Sequence, residues 1–461
     1  MAELDRRQLL SGAAALTLTP LAAAGAAPAL AQHQPDYRLS IGVVDLELAP
    51  GNVVRTIGYN GSVPGPPIRV REGQRVTIEV VNELCGAGDI VHWHGLMVPS
   101  NVDGAMEEGT PMVMAPGTHT FSFVAQPAGT RWYHSHAIAK TDLTRSLYSG
   151  QFGFFIIDPK DDPGRYDREE FIALHHWQPS WVILQDLRKG PPPDNGFEVA
   201  YASASVNGRA LGSGPPIAVR SGERVRFRIL NASATMDTSL ALPGHRFTVL
   251  ALDGNPVPVP QTVDVLYIAP GERIDAVVEM NQPGVWVFGS TNNAMRMMGL
   301  GTVVAYAGAS GDPVWQSPPP ATWDYTAFGR PPAPREPDGT FRLIFDKIPG
   351  GRGGYNRWTI NGKSWPETDS LRVARGKRYR IVLDNSATGD MHTIHLHRHR
   401  FEITDWLGTP TSGVLKDVVA LPGRKSGTIE FVADNPGPSL FHCHMQDHQD
   451  YGFMALLEYV L

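Results

Sequence analysis

Val70-Arg71-Glu72-Gly73-Gln74-Arg75-Val76, preceded by Asn60-Gly61, decides the fold because the chain writes it three times. The second copy runs from Asn207-Gly208 to Val219-Arg220-Ser221-Gly222-Glu223-Arg224-Val225, and the third from Asn361-Gly362 to Val373-Ala374-Arg375-Gly376-Lys377-Arg378-Tyr379. Each leads into an alternating apolar stretch that ends near an asparagine: Asn82, Asn231 and Asn385. A Pro-Gly turn follows later in each copy (Pro116-Gly117, Pro270-Gly271, Pro422-Gly423), and further alternation comes after it, as in Thr120 to Val124 and Ile274 to Val278. A period of two with Gly, Pro and Asn punctuation every ten or so residues predicts antiparallel β-sandwiches. Three of them are expected, over 35–158, 165–308 and 340–461, with a Pro-rich linker over 309–339 that is clearest from Ser317 to Pro337.

The bulk numbers agree. At 461 residues the length suits about three domains, and the 48 glycines and 39 prolines favour turns and short strands over long helices. A formal charge of -6 supplies no basic surface for nucleic acid. The first 31 residues read as a targeting segment: Arg6-Arg7, an apolar run from Leu9 to Ala24, and a small-residue cleavage site at Ala29-Leu30-Ala31. The twin arginine predicts export in the folded state to the periplasm or medium. The run is too short and alanine-rich for a spanning helix, so no membrane span is expected once it is removed.

The chemistry concentrates in Leu440-Phe441-His442-Cys443-His444-Met445-Gln446-Asp447-His448. A thiolate among several imidazoles is a donor set that copper favours. Structural zinc sites usually bring paired cysteines, and this chain has 2 in all. If Phe441 to His444 is extended, His442 and His444 face one way and Cys443 the other, so one short segment can serve two metal centres. Cys85, the other cysteine, is expected to be a buried small hydrophobe.

Of 16 histidines, ten fall in four clusters: His92 and His94; His134 and His136; His392, His395 and His397; and His442, His444 and His448. The second domain reads Val287-Phe288-Gly289 where the first has His134-Ser135-His136, so metal belongs where domains one and three meet. The pairs 92/94, 134/136, 395/397 and 442/444 each place both imidazoles on one strand face, and eight converging imidazoles suit three coppers. His392 lies an odd number of residues from His395 and His397 and so faces the other way, toward Cys443. With His448 it completes His₂Cys, the set of a blue-copper electron-transfer site.

These four motifs, His-X-His-Gly, His-X-His, His-X-X-His-X-His and His-Cys-His-X₃-His, resemble those of the multicopper oxidases, the laccase-like family of three consecutive cupredoxin-like Greek-key domains. The resemblance implies four coppers per chain. A type 1 ion would be held by His392, Cys443 and His448, a type 2 ion by His92 and His395, and a type 3 pair by His94, His134, His136, His397, His442 and His444. It implies four one-electron oxidations of a reducing substrate, electron passage through Cys443 to its histidine neighbours, and reduction of dioxygen to two waters. Asp103, in Val102-Asp103-Gly104, stands where the family keeps a proton-supplying acid. Gln449 stands where relatives often have Glu, which leaves Asp103, Asp447 and Asp450 as the candidate proton carriers.

At the axial type 1 position, where bacterial relatives often carry Met, this chain has Phe453, with Met454 one residue later as the alternative. Asp390-Met391, directly before His392, is the candidate substrate contact, for either a phenol or aromatic amine or a metal ion, Cu(I) or Fe(II). The methionine groups Met106, Met112, Met114 and Met295, Met297, Met298 read as packing, and with no long Met-rich insertion the laccase-like reading is preferred. A carrier or scaffold role would leave the eight imidazoles unexplained.

Overall fold

The computed structural model describes residues 34–460 except 87, 162–164, 184–195, 333–334, 352 and 387. The targeting segment therefore lies outside the described residues. The regular structure of the described residues is nearly all strand, in six sheets that pair within Tyr37–Asp158, Arg168–Tyr306 and Gly339–Val460.

The repeated asparagines do the same work three times. Asn60, Asn207 and Asn361 have φ of 52, 51 and 52°, and each is followed by a glycine with positive φ, a turn that L residues with a branched Cβ disfavour. Each asparagine side chain then bridges the turn to the domain's first strand. Its Oδ1 accepts from the backbone N–H of Ser40, Ala173 or Ile344, and its Nδ2 donates to the carbonyl of Arg38, Phe171 or Arg342. At the end of the next alternating strand, Asn82, Asn231 and Asn385 donate to the carbonyls of Val113, Ile268 and Pro422. Between these anchors the alternation buries Val76, Ile78 and Val80 in domain one, and Val225, Phe227 and Ile229 in domain two.

The sheets are mixed rather than purely antiparallel. In each domain the first strand runs parallel to the repeat strand, as Tyr37–Ala49 does with Arg75–Asn82. The short strand before the repeat strand runs parallel to the domain's last strand. Alternation reports which face a side chain occupies and is blind to the direction of the neighbouring strand, so the sequence could not distinguish the two.

The proline-rich segment is a docked strap rather than a free linker. Tyr325 and Phe328 are buried, the Tyr325 hydroxyl donates to Glu272, and backbone bridges join Val314 to Trp286 and Arg330 to Ser412. Cys85 is exposed, contrary to the expectation, because it follows the end of strand Arg75–Asn82 in a surface turn where alternation no longer holds it inward. Met106, Met114 and Met297 are likewise exposed, at 44, 63 and 81%, and are not packing residues.

Candidate metal centre

Strand pairing brings the histidines together. In domain one His92 lies opposite His134, and in domain three His395 lies opposite His442 while Ile394 lies opposite Cys443. Residues directly opposite on antiparallel strands share a face. The register therefore sends His395 and His442 toward domain one and Cys443 into the domain's own core. His448 owes its place to the short helix Gln446–Asp450, which strand parity could not foresee.

Among the described residues five groups of donors result, all buried, with ligand atoms within 4.8 Å of one another: His92, His94 and His395; His94, His134 and His444; His136, His397 and His442; His392, Cys443 and His448; and His92, Asp103 and His397. The partners of the remote ring nitrogens fix most of the tautomers. Nδ1–H donates to the carbonyl of Asp103 from His92, of Ser135 from His134, of Asp417 from His395 and of Cys443 from His442. His397 Nδ1–H donates to the Asp103 carboxylate at 2.9 Å, and His94, turned over, donates Nε2–H to Asp417 Oδ1 at 3.1 Å. Oxygen acceptors without hydrogens leave the inner nitrogen of each ring as a bare lone pair.

These lone pairs face one another. His397 and His442 approach at 2.9 Å, His94 and His134 at 3.3 Å, and His92 and His395 at 3.4 Å. Two acceptors cannot hydrogen-bond, and burial drives most of these imidazoles well below their ordinary pKa, with the neighbouring rings adding to it. Protons therefore do not fill the gaps at neutral pH. Neutral, converging, buried imidazoles are what a metal ion requires of its ligands, and His136 Nε2, buried without a hydrogen-bond partner, points to the same conclusion.

At the fourth group, His392 Nδ1 and His448 Nδ1 are 3.1 Å apart, and Cys443 Sγ is 3.4 Å from the latter. Burial pushes the Cys443 thiol up to about 12 and brings His392 down to about 3. Trp358 lies against His448 with ring centroids 3.9 Å apart, and the Phe453 ring lies 4.6 Å from that of His392. Met454 does not reach this site. It pairs with His442 across the strands, so its side chain takes the opposite face and packs with Ala105 and Leu440.

The candidate acids separate into two kinds. Asp103 closes the helix Ser100–Asp103 and accepts from His397, with its Oδ2 3.2 Å from His92 Nδ1. Burial alone would raise its pKa, but the His92 and His397 rings hold it well below the usual carboxylate range. Glu108, for which the sequence carried no signal, lies beside it, 3.3 Å from His397 Nδ1. Burial and then the Asp103 charge raise it well above its ordinary value. Asp447 and Asp450 serve the helix of His448 instead. Burial lifts Asp447 to about 8, and Asp450, lifted to about 6, accepts from the backbone N–H of Ala139 and Lys140.

Asp390 and Met391 point to different surroundings. Asp390 is paired with Lys347 at 3.0 Å. The Met391 sulfur accepts from the Tyr267 hydroxyl beside a cavity of about 410 Å³, lined also by Trp323, Tyr325 and Trp406. His399 donates to the His397 carbonyl and contacts the Tyr459 hydroxyl, so it supports the backbone of a ligand rather than its ring.

Known proteins resemble this chain in sequence and fold. Family models described as multicopper oxidase match residues 43–162, 184–308 and 346–460. Multicopper oxidase MmcO of Mycobacterium tuberculosis is 31% identical over 448 residues, covering 89% of this chain and 84% of its own. Laccase-2 of Botryotinia fuckeliana is 29% identical over 485 residues, covering 90 and 80%. The crystal structure of a multicopper oxidase from Pseudomonas thermotolerans superposes with a TM-score of 0.70 at 26% identity, covering 92% of this chain and 98% of that one. With three family matches spanning most of its length and its motif histidines gathered into buried donor groups, the chain belongs to the multicopper oxidases.

Proposed function

We propose that the protein holds four coppers and acts as a laccase-like oxidase of phenols and aromatic amines, with dioxygen as acceptor and two waters as product. Bound copper would supply the one-electron steps at His392, Cys443 and His448 and the reduction of oxygen among the eight other imidazoles. The chain's own residues do the rest. Cys443 sits between His442 and His444 in sequence, and His442 Nδ1–H donates to the Cys443 carbonyl, so the two centres are joined by a few bonds and one short hydrogen bond. Burial and the Asp103 charge raise Glu108 well above its ordinary pKa, while the His92 and His397 rings hold Asp103 well below its own, so the two carboxyls differ sharply in their hold on a proton at the edge of the oxygen site.

The observation that carries the organic-substrate reading is the pairing of Asp390 with Lys347, whose ammonium also lies 3.7 Å from Glu198. A carboxylate already neutralised by a cation is a poor landing place for Fe(II) or Cu(I). Nearby, Tyr451 stacks on Tyr355 at 4.9 Å and Trp181 stands edge-on to both, an aromatic surface that suits flat donors. The second reading, a metallo-oxidase, draws on the same carboxylates together with Asp447. Oxygen uptake by the copper-loaded protein decides between them. Faster turnover of a phenol than of Cu(I) or Fe(II), without added Cu(II), supports the first, and the reverse order overturns it. Lys347→Met, which frees Asp390, is expected to lower KM for Fe(II) several-fold with little change for the phenol.

Phe453 cannot donate to a metal, and Phe453→Met would offer the weak thioether ligand that tunes blue-copper potentials. The expected result is a lower type 1 potential by redox titration and slower oxidation of the least reducing phenols. We further propose export through the twin-arginine route on the strength of Arg6-Arg7, tested by sequencing the N-terminus of the exported protein for cleavage after Ala31.

A further inference from the structure

Domain two contributes none of the donor residues above, yet its residues reach the aspartate that holds two of the imidazoles. Asp417, on domain three, holds two of the imidazoles: its Oδ1 accepts from His94 Nε2–H at 3.1 Å and its carbonyl from His395 Nδ1–H at 2.7 Å. Those two rings stack at 3.9 Å with a 7° tilt, one from domain one and the other from domain three. Asp417 is in turn gripped from domain two. Arg273 donates from Nη1 to Oδ1 and from Nη2 to Oδ2, both at 2.6 Å, a two-pronged fit that fixes the plane of the carboxylate. Asp253 Oδ2 accepts from the backbone N–H of Asp417 at 3.2 Å and of Val418 at 3.1 Å, and pairs with Lys416 at 2.9 Å. Arg131 of domain one adds a longer contact to Asp417 at 3.4 Å.

Two glycines make room for this clamp. A Cβ on Gly95, next to His94, would lie 2.6 Å from Arg273 Nη2 and 2.7 Å from Asp417 Oδ2. One on Gly271 would lie 2.9 Å from the His444 ring. The glycine of the His-X-His-Gly motif is therefore required by the arginine of another domain as well as by its own φ of 80°.

We infer that Arg273 and Asp253 of domain two are positioning residues for copper: through Asp417 they fix the orientation of His94 and His395, so the domain without ligands sets the geometry of the cluster. This rests on the reading of the eight imidazoles as a copper cluster. Residues that orient ligands typically change metal affinity about 10–100-fold when replaced.

The test compares wild type with Asp417→Asn, Arg273→Lys and Gly95→Ala, following copper bound per chain against a chelator, the near-ultraviolet absorption of the type 3 pair, the blue type 1 absorption, and melting of the copper-free protein. Asp417→Asn keeps the volume and leaves Arg273 its contacts with Asp253. Gly95→Ala displaces the pair without removing either charge. Arg273→Lys keeps the charge and loses the fork. Expected is a loss of affinity at the cluster of about 10–100-fold in Asp417→Asn and Gly95→Ala and a smaller loss in Arg273→Lys, with type 1 absorption retained. Wild-type affinity at the cluster in all three would overturn the inference. So would parallel loss of both copper centres with a lowered melting temperature, which would make the clamp a matter of folding alone. Failure of the wild type to bind copper at the cluster would instead refute the underlying reading.

Discussion

Cys443→Ser removes the blue absorption of the copper-loaded protein and its oxidation of electron donors, and leaves the copper-free protein folded. The substitution is nearly isosteric at a fully buried position packed in the core that domains two and three share. Burying a hydroxyl there costs about 1–3 kcal/mol without a full hydrogen bond, and the available partners are His448 Nδ1, 3.4 Å from the sulfur, and Thr393 Oγ1, at 4.0 Å. A decrease of a few degrees in melting temperature is therefore expected, against complete loss of donor oxidation. A second readout separates ligation from packing. The thiol is raised to about 12 by burial while the imidazoles are neutral, so loading at neutral pH releases about one proton from the ligand set, and that proton is absent in the variant. Retained blue absorption would remove Cys443 from the site, and collapse of the copper-free variant would make it a core residue first.

The same strand explains why so much of the centre could be read from sequence. Asn60, Asn207 and Asn361 announce the three domains because one side chain satisfies both a left-handed turn and two backbone groups, a local requirement that recurs wherever the fold does. Parity sorted Cys443 from His442 because a strand has only two faces, and the same rule turns Met454 away from Cys443 once its register with His442 is known. Local rules end where the chain stops being a strand. His448 arrives on a helical turn, Asp103 closes another, and Cys85 lies beyond a strand end, exposed. Contacts between domains left no local mark at all. Arg273 and Asp417 are 144 residues apart, and nothing in the spacing of either predicts the other. Lys347 before Asp390 is a similar case, and it changes the meaning of Asp390 from an open carboxylate to a paired one.

Asp103→Asn slows reoxidation of the reduced protein by oxygen about 10²–10⁴-fold, the usual worth of a positioned acid or base, while anaerobic reduction of the type 1 site by a donor keeps its rate. The two half-reactions divide because Asp103 touches His92 and His397 and has no contact with His392, Cys443 or His448 among the described residues. Its carboxylate has two duties, and the variants separate them. As the acceptor for His397 Nδ1–H at 2.9 Å it fixes that ring's tautomer, a role an amide oxygen can partly fill. As the low-pKa partner of Glu108, whose own pKa burial and the Asp103 charge raise, it makes a site where a proton can be held and passed, which an amide cannot reproduce. Asp103→Asn is therefore expected to retain most of its copper and lose the oxygen step, whereas Asp103→Ala loses both. Glu108→Gln, which leaves the Asp103 charge in place, should slow oxygen reduction without releasing copper. Equal loss of copper from Asp103→Asn and Asp103→Ala would reduce Asp103 to an orienting residue. An unchanged rate in Glu108→Gln would take the proton path elsewhere, toward Asp447 and Asp450 on the helix that carries His448.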